Sequence, residues 1–427
     1  MMTQAMTQAA RWRVGWVVFG LVVISLVTYR VWAWTHFPVT WASVYFAVIA
    51  VITVGLFALA ARGSDMHNQS TPVEGRLVAV IPTYNEDDKD LHAAIQALLD
   101  STIVPDRIHV VDDGSDVPAT PFDHPLVSWH RQENQGKRAA QITAMGEYSE
   151  DDLDFVVTVD SDSQVAPRAI EDSLRAFNDQ SVQAVTSVVI VRNRVQSLLT
   201  RLSDLEIVSG IFVVRRARAA VGAVTPTSGA FSVYRSGPFL GHLYDYLRSG
   251  TFSDDRRLAH YCLMRGKVIT VPGAVVNTAM PSTVRGTWRQ RVRWYKGYWK
   301  YLPWEVSHLR GWALGFRYLS SVSAAVFPVA IFWVAVYLPI AGKGFHWQVF
   351  ALWLSLLYAQ GLTYLRRPFL SLRSRILTWL FLTPLLIPFQ LLIIRPSMYW
   401  AALTVRSERW DGDRASSSTQ EEFSLAG

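Results

Sequence analysis

The sequence predicts an α/β domain with a mostly parallel sheet, inserted between transmembrane α-helices. Three observations predict it. Between Arg76 and Arg285, short β-branched runs alternate with helically spaced stretches. Long uncharged apolar runs bracket that region on both sides. Charge follows the same division: residues 1–63 carry a net +4, 64–286 carry −7 and 287–427 carry +10 within a 427-residue chain of net +7.

The first apolar run is Val14–Tyr29, extended by Arg30, Trp32 and Trp34, and the second is Trp41–Ala61. Each suits a spanning helix, for which about 20 apolar residues suffice. The closely following second run argues against a cleaved leader. Tyr318–Gly342 and Phe345–Leu365 form another pair around Lys343. Arg11, Arg13 and Arg62 flank the first pair, and Arg366, Arg367, Arg373 and Arg375 follow the second. By the positive-inside rule these clusters lie in the cytoplasm, and residues 63–317 with them. Ile376–Val405 is interrupted by Pro384, Pro388 and Pro396 and contains Arg395, so one tilted helix and a broken re-entrant hairpin are both open. Residues 415–427, rich in Ser and acidic side chains, form a tail.

Within the middle region, Leu77–Ile81, His109–Val111, Phe155–Val159 and Ala184–Val191 are the expected buried strands. Asp90–Leu99, Arg138–Met145 and Arg168–Phe177 are the helices between them. This alternation produces a parallel sheet covered by helices, whose ligands bind beyond the carboxyl ends of the strands. The residues at those ends are Pro82-Thr83-Tyr84-Asn85-Glu86, then Asp112-Asp113-Gly114-Ser115, then Asp160-Ser161-Asp162-Ser163. Each alone suits a turn or a helix cap. Together they deliver carboxylates and amides to one sheet edge, which is the composition of a nucleotide and metal site. Neither GxGxxG nor GxxxxGK[ST] occurs, which argues against kinase, ATPase and dehydrogenase chemistry.

Such a site suits a nucleoside diphosphate. A carboxylate after the second strand can accept the imide N–H of uracil. Two carboxylates one residue apart can hold a hard divalent cation that neutralises a diphosphate. Gly136-Lys137-Arg138 starts a helix, where cations and free N–H groups favour phosphate oxygens. Ser253-Asp254-Asp255-Arg256 opens a helical stretch through Met264, and Gln290-Arg291-Val292-Arg293-Trp294 heads an aromatic and basic helix suited to the membrane surface. The acidic central domain excludes nucleic acid as a partner. The lone Cys262 excludes an intrachain disulfide and suits a reducing compartment.

In this order the motifs resemble those of processive family 2 membrane glycosyltransferases, in particular bacterial hyaluronan synthases and chitooligosaccharide synthases, with cellulose synthases more distant. The resemblance covers about residues 76–300. It implies a GT-A-type nucleotide-diphospho-sugar transferase domain. Carried onto this sequence, it implies that Asp112, Asp113 and Asp160 bind the nucleotide together with Pro82, Thr83, Tyr84 and Glu86. Lys137 and Arg138 lie near the diphosphate, and Asp162 is the direct ligand of Mg²⁺ or Mn²⁺. Asp255 is the general base, with Asp254 before it. Gln290, Arg293 and Trp294 bind the diphosphate and stack on the acceptor sugar, and Ser228-Gly229 cradles the acceptor end. Trp410 belongs to a stretch similar to the hyaluronan-synthase tail motif, with Asp411 standing between Trp and Gly.

The resulting organisation is two transmembrane helices over 1–62, a cytoplasmic transferase domain over 63–286 and amphipathic interface helices over 287–315. Membrane segments over 316–405 and a cytoplasmic tail over 406–427 complete it. The resemblance implies a multi-pass protein of the cell membrane, with a UDP-sugar donor, a growing glycan acceptor and the lipid bilayer as partners. Transfer of a single sugar to a lipid-linked acceptor is the nearest alternative. A transporter with a nucleotide-binding domain is the remote one, because ionisable residues are sparse within the apolar segments.

Overall fold

The computed structural model describes residues 41–62, 70–250 and 253–406. The apolar run Val14–Tyr29 and Trp410 lie outside the described residues. A sheet of eight strands organises the central domain: β1 (Leu77–Thr83), β2 (Arg107–Asp112), β3 (Val127–Arg131), β4 (Phe155–Val159), β5 (Gln164–Val165), β6 (Val182–Val191), β7 (Phe231–Arg235) and β8 (Lys267–Thr278). Their spatial order is β3-β2-β1-β4-β7-β6-β8-β5.

The pairs β1–β2, β2–β3, β1–β4 and β6–β8 are parallel, while β7 runs antiparallel between β4 and β6. Every residue of β1 and β4 is buried, as expected of strands covered by helices on both faces. The sheet is therefore the mostly parallel one that the sequence predicts. The parallel strands β1, β2 and β4 end on one edge, which places Thr83, Asp113 and Asp160 together.

Among the strands that escape the sequence pattern, β3 and β8 do so for physical reasons. β3 (VSWHR) is half exposed at the sheet edge, so no apolar run marks it. β8 contains Pro272 and Gly273, and its pairing with β6 is irregular between Thr186 and Val188. Proline cannot donate to a ladder and is tolerated at such irregularities.

Helix α1 (Trp41–Arg62) packs against Ile211–Ala219, and helices cover the sheet: α2 (Asp88–Leu99), α3 (Lys137–Met145), α4 (Ala169–Ala176), α5 (Leu198–Gly210) and α6 (Asp254–Arg265). Local chemistry starts several of them. Asp87 caps α2 by accepting from Lys89 N at 2.8 Å, and Ser197 with Thr200 forms a capping box on α5. After α5 the chain continues through a π turn at Ile211–Arg215 into Arg216–Ala219.

The C-terminal part comprises α7 (Val284–Lys300), α8 (Leu302–His308), α9 (Gly311–Ile340), α10 (Trp347–Gly361) and α11 (Leu372–Leu403). Among the described residues, three helices are long and apolar enough to cross a membrane: α1 over Val44–Arg62, α9 and α11. α11 answers the question left open for Ile376–Val405. It is one 32-residue helix, and it absorbs its prolines in a 3₁₀ turn at Thr383–Leu385 and a π turn at Gln390–Ile394. The Phe345–Leu365 run is helical from Trp347 onwards. Its helix α10 has 15 residues and continues directly into a 3₁₀ turn at Leu362–Arg366.

The membrane helices are bolted to the sheet domain by buried polar contacts. Asp204 on α5 is fully buried and accepts from Val191 N at 3.0 Å and from Arg367 Nε at 2.7 Å. Arg216 donates to Ala60 O of α1 at 3.0 Å, and Trp299 of α7 donates to Met398 O of α11 at 2.8 Å.

Candidate active site

The ends of β1, β2 and β4 open into a cavity of about 1330 Å³ that continues between the membrane helices. Pro82, Thr83 and Tyr84 line it from β1, and Asp113 from the turn after β2. Asp113 is buried by its duties at the start of α3: its carboxylate accepts from Gly136 N at 2.7 Å, Gln135 N at 3.0 Å and Gln132 Nε2 at 2.7 Å. Gly114 makes the turn possible. It has φ 75°, and a Cβ there would stand 2.6 Å from Asn134 N.

Asp112 and Glu86 are turned elsewhere. Asp112 is fully buried and accepts from Ser115 N at 2.9 Å, Ala119 N at 3.3 Å and Arg131 at 3.2 Å, so it shapes the loop behind the site. Glu86 accepts from Ser161 Oγ at 3.0 Å and is not among the cavity-lining residues. Together these contacts give Asp112 and Glu86 positions that support the loops after β2 and β4.

Lys137, at the start of α3, bridges the carboxylate after β4 and one at the start of α6. Its Nζ lies 2.6 Å from Asp160 Oδ1 and 2.9 Å from Asp254 Oδ2. Burial opposes the charge on this ammonium, but Asp160 and Asp254 outweigh burial and raise its pKa. Arg138 also lines the cavity, and its guanidinium is anchored there, with Nη2 donating to Tyr301 Oη at 2.9 Å and Nη1 to Tyr246 O at 3.2 Å. It latches α3 to the segment between α7 and α8.

Asp160 and Asp162 face the cavity one residue apart. Asp162 Oδ1 accepts from Ser163 Oγ at 3.1 Å and Thr278 Oγ1 at 3.3 Å. Among the described residues, no group of three or more His, Cys, Asp or Glu side chains gathers for a metal. Two carboxylates nevertheless fit Mg²⁺ or Mn²⁺, because such a cation is commonly held by one or two carboxylates with substrate phosphates completing its shell. Gly229 keeps this corner open, since a Cβ there would stand 3.2 Å from Asp160 Oδ2 and 3.4 Å from Lys137 Nζ. The neighbouring Ser228 is buried and donates its N–H to Thr186 Oγ1 at 2.7 Å.

Asp254 and Asp255 open α6 after Ser253, whose φ of 54° turns the chain into the helix. Burial, and then the charge of Asp254, pushes the Asp255 carboxyl up to about 6. Asp254 moves the opposite way: burial would raise it, but Lys137 overcomes burial and lowers it. The two adjacent carboxyls are thus pushed apart, Asp254 lowered by Lys137 and Asp255 raised by burial, a division suited to proton transfer. Thr227 donates to Asp255 O at 2.8 Å and fixes the backbone beneath it.

Gln290, Arg293 and Trp294 on α7 enter the same cavity, with Trp294 38% exposed. Arg291, between them, pairs with Glu206 of α5 at 2.7 Å and lies 4.7 Å over the Trp294 ring. This holds the indole where a sugar could stack. Beyond it the wall is built from the membrane helices, including Ile49, Trp353, Gln360, Gln390 and Arg395. Sequence reasoning missed Glu206 and Gln390 and gave Arg291 no role of its own, because nothing local in their helices singles them out. Their signal was placement, which only the packed helices provide.

Residues 75–297 match the model of glycosyltransferase like family 2. A hyaluronan synthase of Streptococcus pyogenes serotype M1 is 33% identical over 248 residues, covering 54% of this chain and 58% of that protein. An N-acetylglucosaminyltransferase of Sinorhizobium fredii is 30% identical over 272 residues, covering 58% of this chain and 65% of that protein. In both cases the match spans less than two thirds of the relative's length. A solved structure, mannosyltransferase PcManGT from Pyrobaculum calidifontis in complex with GDP-Man and Mn²⁺, shares the fold with a TM-score of 0.51 at 18% identity, covering 92% of this chain and 100% of that one.

Proposed function

The chain belongs to glycosyltransferase like family 2, and from that premise we propose that it is an inverting, processive enzyme building a β-linked polysaccharide from a UDP-sugar. The observation that carries this reading is the continuity of the cavity. Asp160, Asp162, Lys137 and Asp255 stand at its sheet end, and Gln360, Gln390 and Arg395 line it among the membrane helices. A transferase acting on a small soluble acceptor has no need of such a path, whereas a growing glycan does. The similarity to a hyaluronan synthase and to an N-acetylglucosaminyltransferase supports a hyaluronan- or chitin-like product.

In this reading Thr83, Tyr84 and Asp113 border the nucleoside, and Lys137, Gln290 and Arg293 border the diphosphate. Asp160 and Asp162 would hold Mg²⁺ or Mn²⁺, whose positive charge supports departure of UDP. Asp255 accepts the proton of the acceptor hydroxyl as its oxygen bonds to C1 of the donor sugar. The bond from C1 to the phosphate oxygen breaks, and UDP departs. One displacement inverts the anomeric centre. Trp294 offers a ring face on which the acceptor sugar stacks and is retained between additions. The basic flanks of the apolar segments support a cytoplasmic catalytic domain in the cell membrane, with the product leaving through the bundle.

The test is UDP release by detergent-purified protein with Mg²⁺ or Mn²⁺ against UDP-GlcNAc, UDP-Glc and UDP-GlcA, singly and in pairs, with product length measured. Metal-dependent release and a long polymer, both abolished in Asp255→Asn, are expected. Addition of one sugar per acceptor would replace polymerisation with single transfer. No release from any donor, even with lipid extract supplied, would overturn the reading.

A further inference from the structure

Lys137 and Arg138 are consecutive at the start of α3, and the structure gives them different work. Lys137 is aimed at Asp160 and Asp254. Arg138 is buried, and its fork is taken up by neutral groups of this chain. Nη2 donates to Tyr301 Oη at 2.9 Å, and Nη1 donates to Tyr246 O at 3.2 Å and to Ser249 Oγ. The guanidinium carbon also lies 5.1 Å from the centre of the Tyr246 ring. Each partner is itself held. Tyr301 Oη accepts from Arg138 and donates to Ser249 O at 3.0 Å. Ser249 Oγ donates to Tyr246 O at 2.8 Å, and the fully buried Tyr246 donates to Gln141 Oε1 of α3 at 2.5 Å. Buried polar networks of this kind rigidify the elements that meet in them.

Three elements of the cavity meet at this joint. α3 carries Lys137, and Tyr301 directly follows α7, which carries Gln290, Arg293 and Trp294. The third is the short helix Leu243–Arg248, which with Ser249 precedes the base-bearing α6. That helix is clasped to α6, because Asp245 accepts from Arg257 at 2.5 Å. α3 therefore grips the base-bearing part at two points, through Lys137 on Asp254 at 2.9 Å and through Arg138 on Tyr246 and Ser249. Beside them Gly250, with φ 96°, passes so close to the end of α7 that a Cβ there would overlap Lys300 Nζ.

A diphosphate would have to displace these contacts to engage the same donors, and with them the link between α3, α6 and α7. The planar guanidinium suits the opposite task, since its fixed fork reaches a carbonyl, a hydroxyl and a phenol at once. We propose that Arg138 is a positioning residue rather than a diphosphate ligand. It sets the spacing between the phosphate-binding start of α3, the base on α6 and the acceptor face of α7. This assignment rests on the transferase reading given above.

The test uses the full-length detergent-purified protein with Mn²⁺. Calorimetry reads UDP affinity and stoichiometry, and UDP release is followed from UDP-GlcNAc, UDP-Glc and UDP-GlcA, singly and in pairs. Stoichiometry counts the folded sites, so kcat is expressed per UDP-binding site and a loss of fold alone does not move it. Arg138→Gln is expected to lower that kcat about 100-fold, the cost of misplacing reacting groups by about an ångström, with UDP affinity unchanged. Arg138→Lys keeps the charge without the fork and is expected to stay impaired. Tyr301→Phe removes one hydroxyl from the same joint and is expected to lower kcat about tenfold, with a smaller effect when added to Arg138→Gln. A UDP affinity about tenfold weaker in Arg138→Gln makes Arg138 a phosphate ligand and overturns the proposal. Full kcat per site in Arg138→Lys overturns it too, because the charge alone then suffices. If neither Arg138 variant yields UDP-binding protein, Tyr301→Phe decides, and a normal kcat per site there overturns the proposal. Wild type that binds no UDP, or releases none from any donor, sinks the transferase reading and the joint with it. Wild-type turnover with unimpaired variants sinks the joint alone.

Discussion

Glu305 holds Arg256 at 2.8 Å from across the boundary between α8 and α6, one residue after the proposed base Asp255. The same carboxylate meets His260 Nε2 at 2.9 Å and Arg317 of α9 at 2.7 Å, so the catalytic helix and a membrane helix share one buried counter-ion. Burial would raise Glu305, but Arg256 and its neighbours keep it down at about 2. Glu305→Gln leaves two guanidiniums buried without their carboxylate, and removing one partner of such a group costs about 3–5 kcal/mol. The expected result is a lower Tm in detergent together with reduced kcat. Glu305→Gln combined with Arg256→Met is expected to lose less than the sum of the single losses, as a double-mutant cycle would show; simple additivity would break the proposed link.

Gly297 on α7 passes against Ser253, and a Cβ at position 297 would overlap the Ser253 side chain. Ser253 already has φ 54° and leads directly into Asp254 and Asp255. Gly297→Ala is therefore expected to displace the base and lower kcat by about 100-fold, the cost of misplacing a catalytic group by about an ångström. Ser253→Gly removes both the overlapping side chain and the strained conformation, so the double variant should regain activity. A Gly297→Ala enzyme with normal kcat would show that the loop moves aside freely.

The sheet edge was legible because buried strands declare themselves as β-branched runs and their last residues are polar. β4 matches its expected bounds of Phe155–Val159, and β1 and β2 extend theirs by a few residues. The two roles of the Asp112-Asp113 pair were not legible. Adjacent residues on a strand point to opposite sides, and only the fold shows that Asp113 faces the cavity while Asp112 faces Ser115, Ala119 and Arg131. The inner end of the cavity was hidden for a similar reason. Glu206, Gln360 and Gln390 come from three helices distant in sequence, and nothing local distinguishes them from tolerated polar residues.

Val51 lies midway along α1 and is 72% exposed in the isolated chain, as expected of a side chain that faces lipid. Val51→Asp places a carboxylate near the middle of the span, which costs about 2.5–3.5 kcal/mol for insertion. Its membrane-integrated fraction should fall, measured by carbonate extraction, whereas Val51→Leu should integrate normally. Equal integration of the aspartate variant would show that this face of α1 does not meet lipid.

Lys137 neutralises Asp160 at 2.6 Å and Asp254 at 2.9 Å. Lys137→Gln leaves both carboxylates without that ammonium. Mn²⁺ alone is then expected to bind more tightly, by roughly tenfold, because a cation no longer competes with it for Asp160. UDP should bind more weakly in the same variant, since the diphosphate loses its ammonium. Opposite changes in the two affinities, read by calorimetry, identify Lys137 as a phosphate ligand that also holds the metal carboxylates. If both affinities fell together, Lys137 would be acting on the fold instead.

Asp255 titrates near 6 because burial and the charge of Asp254 disfavour its ionised form. The base is competent only when deprotonated, so kcat/KM should fall about tenfold per pH unit below pH 6 and level off above it. Stability runs the other way. The folded-state pKa lies above the ordinary carboxylate value of 3.8, so the stabilising contribution of the neutral acid is complete below about pH 4 and is lost as pH rises through about 6. Asp255→Asn keeps a neutral side chain at every pH. It should remove about 10²–10⁴-fold of the rate while matching or exceeding the wild-type Tm at pH 8. An inactive Asp255→Asn enzyme that also melts early at pH 8 would mark Asp255 as a structural carboxylate, and an acid limb that persists in residual activity of that variant would move the titration to another group.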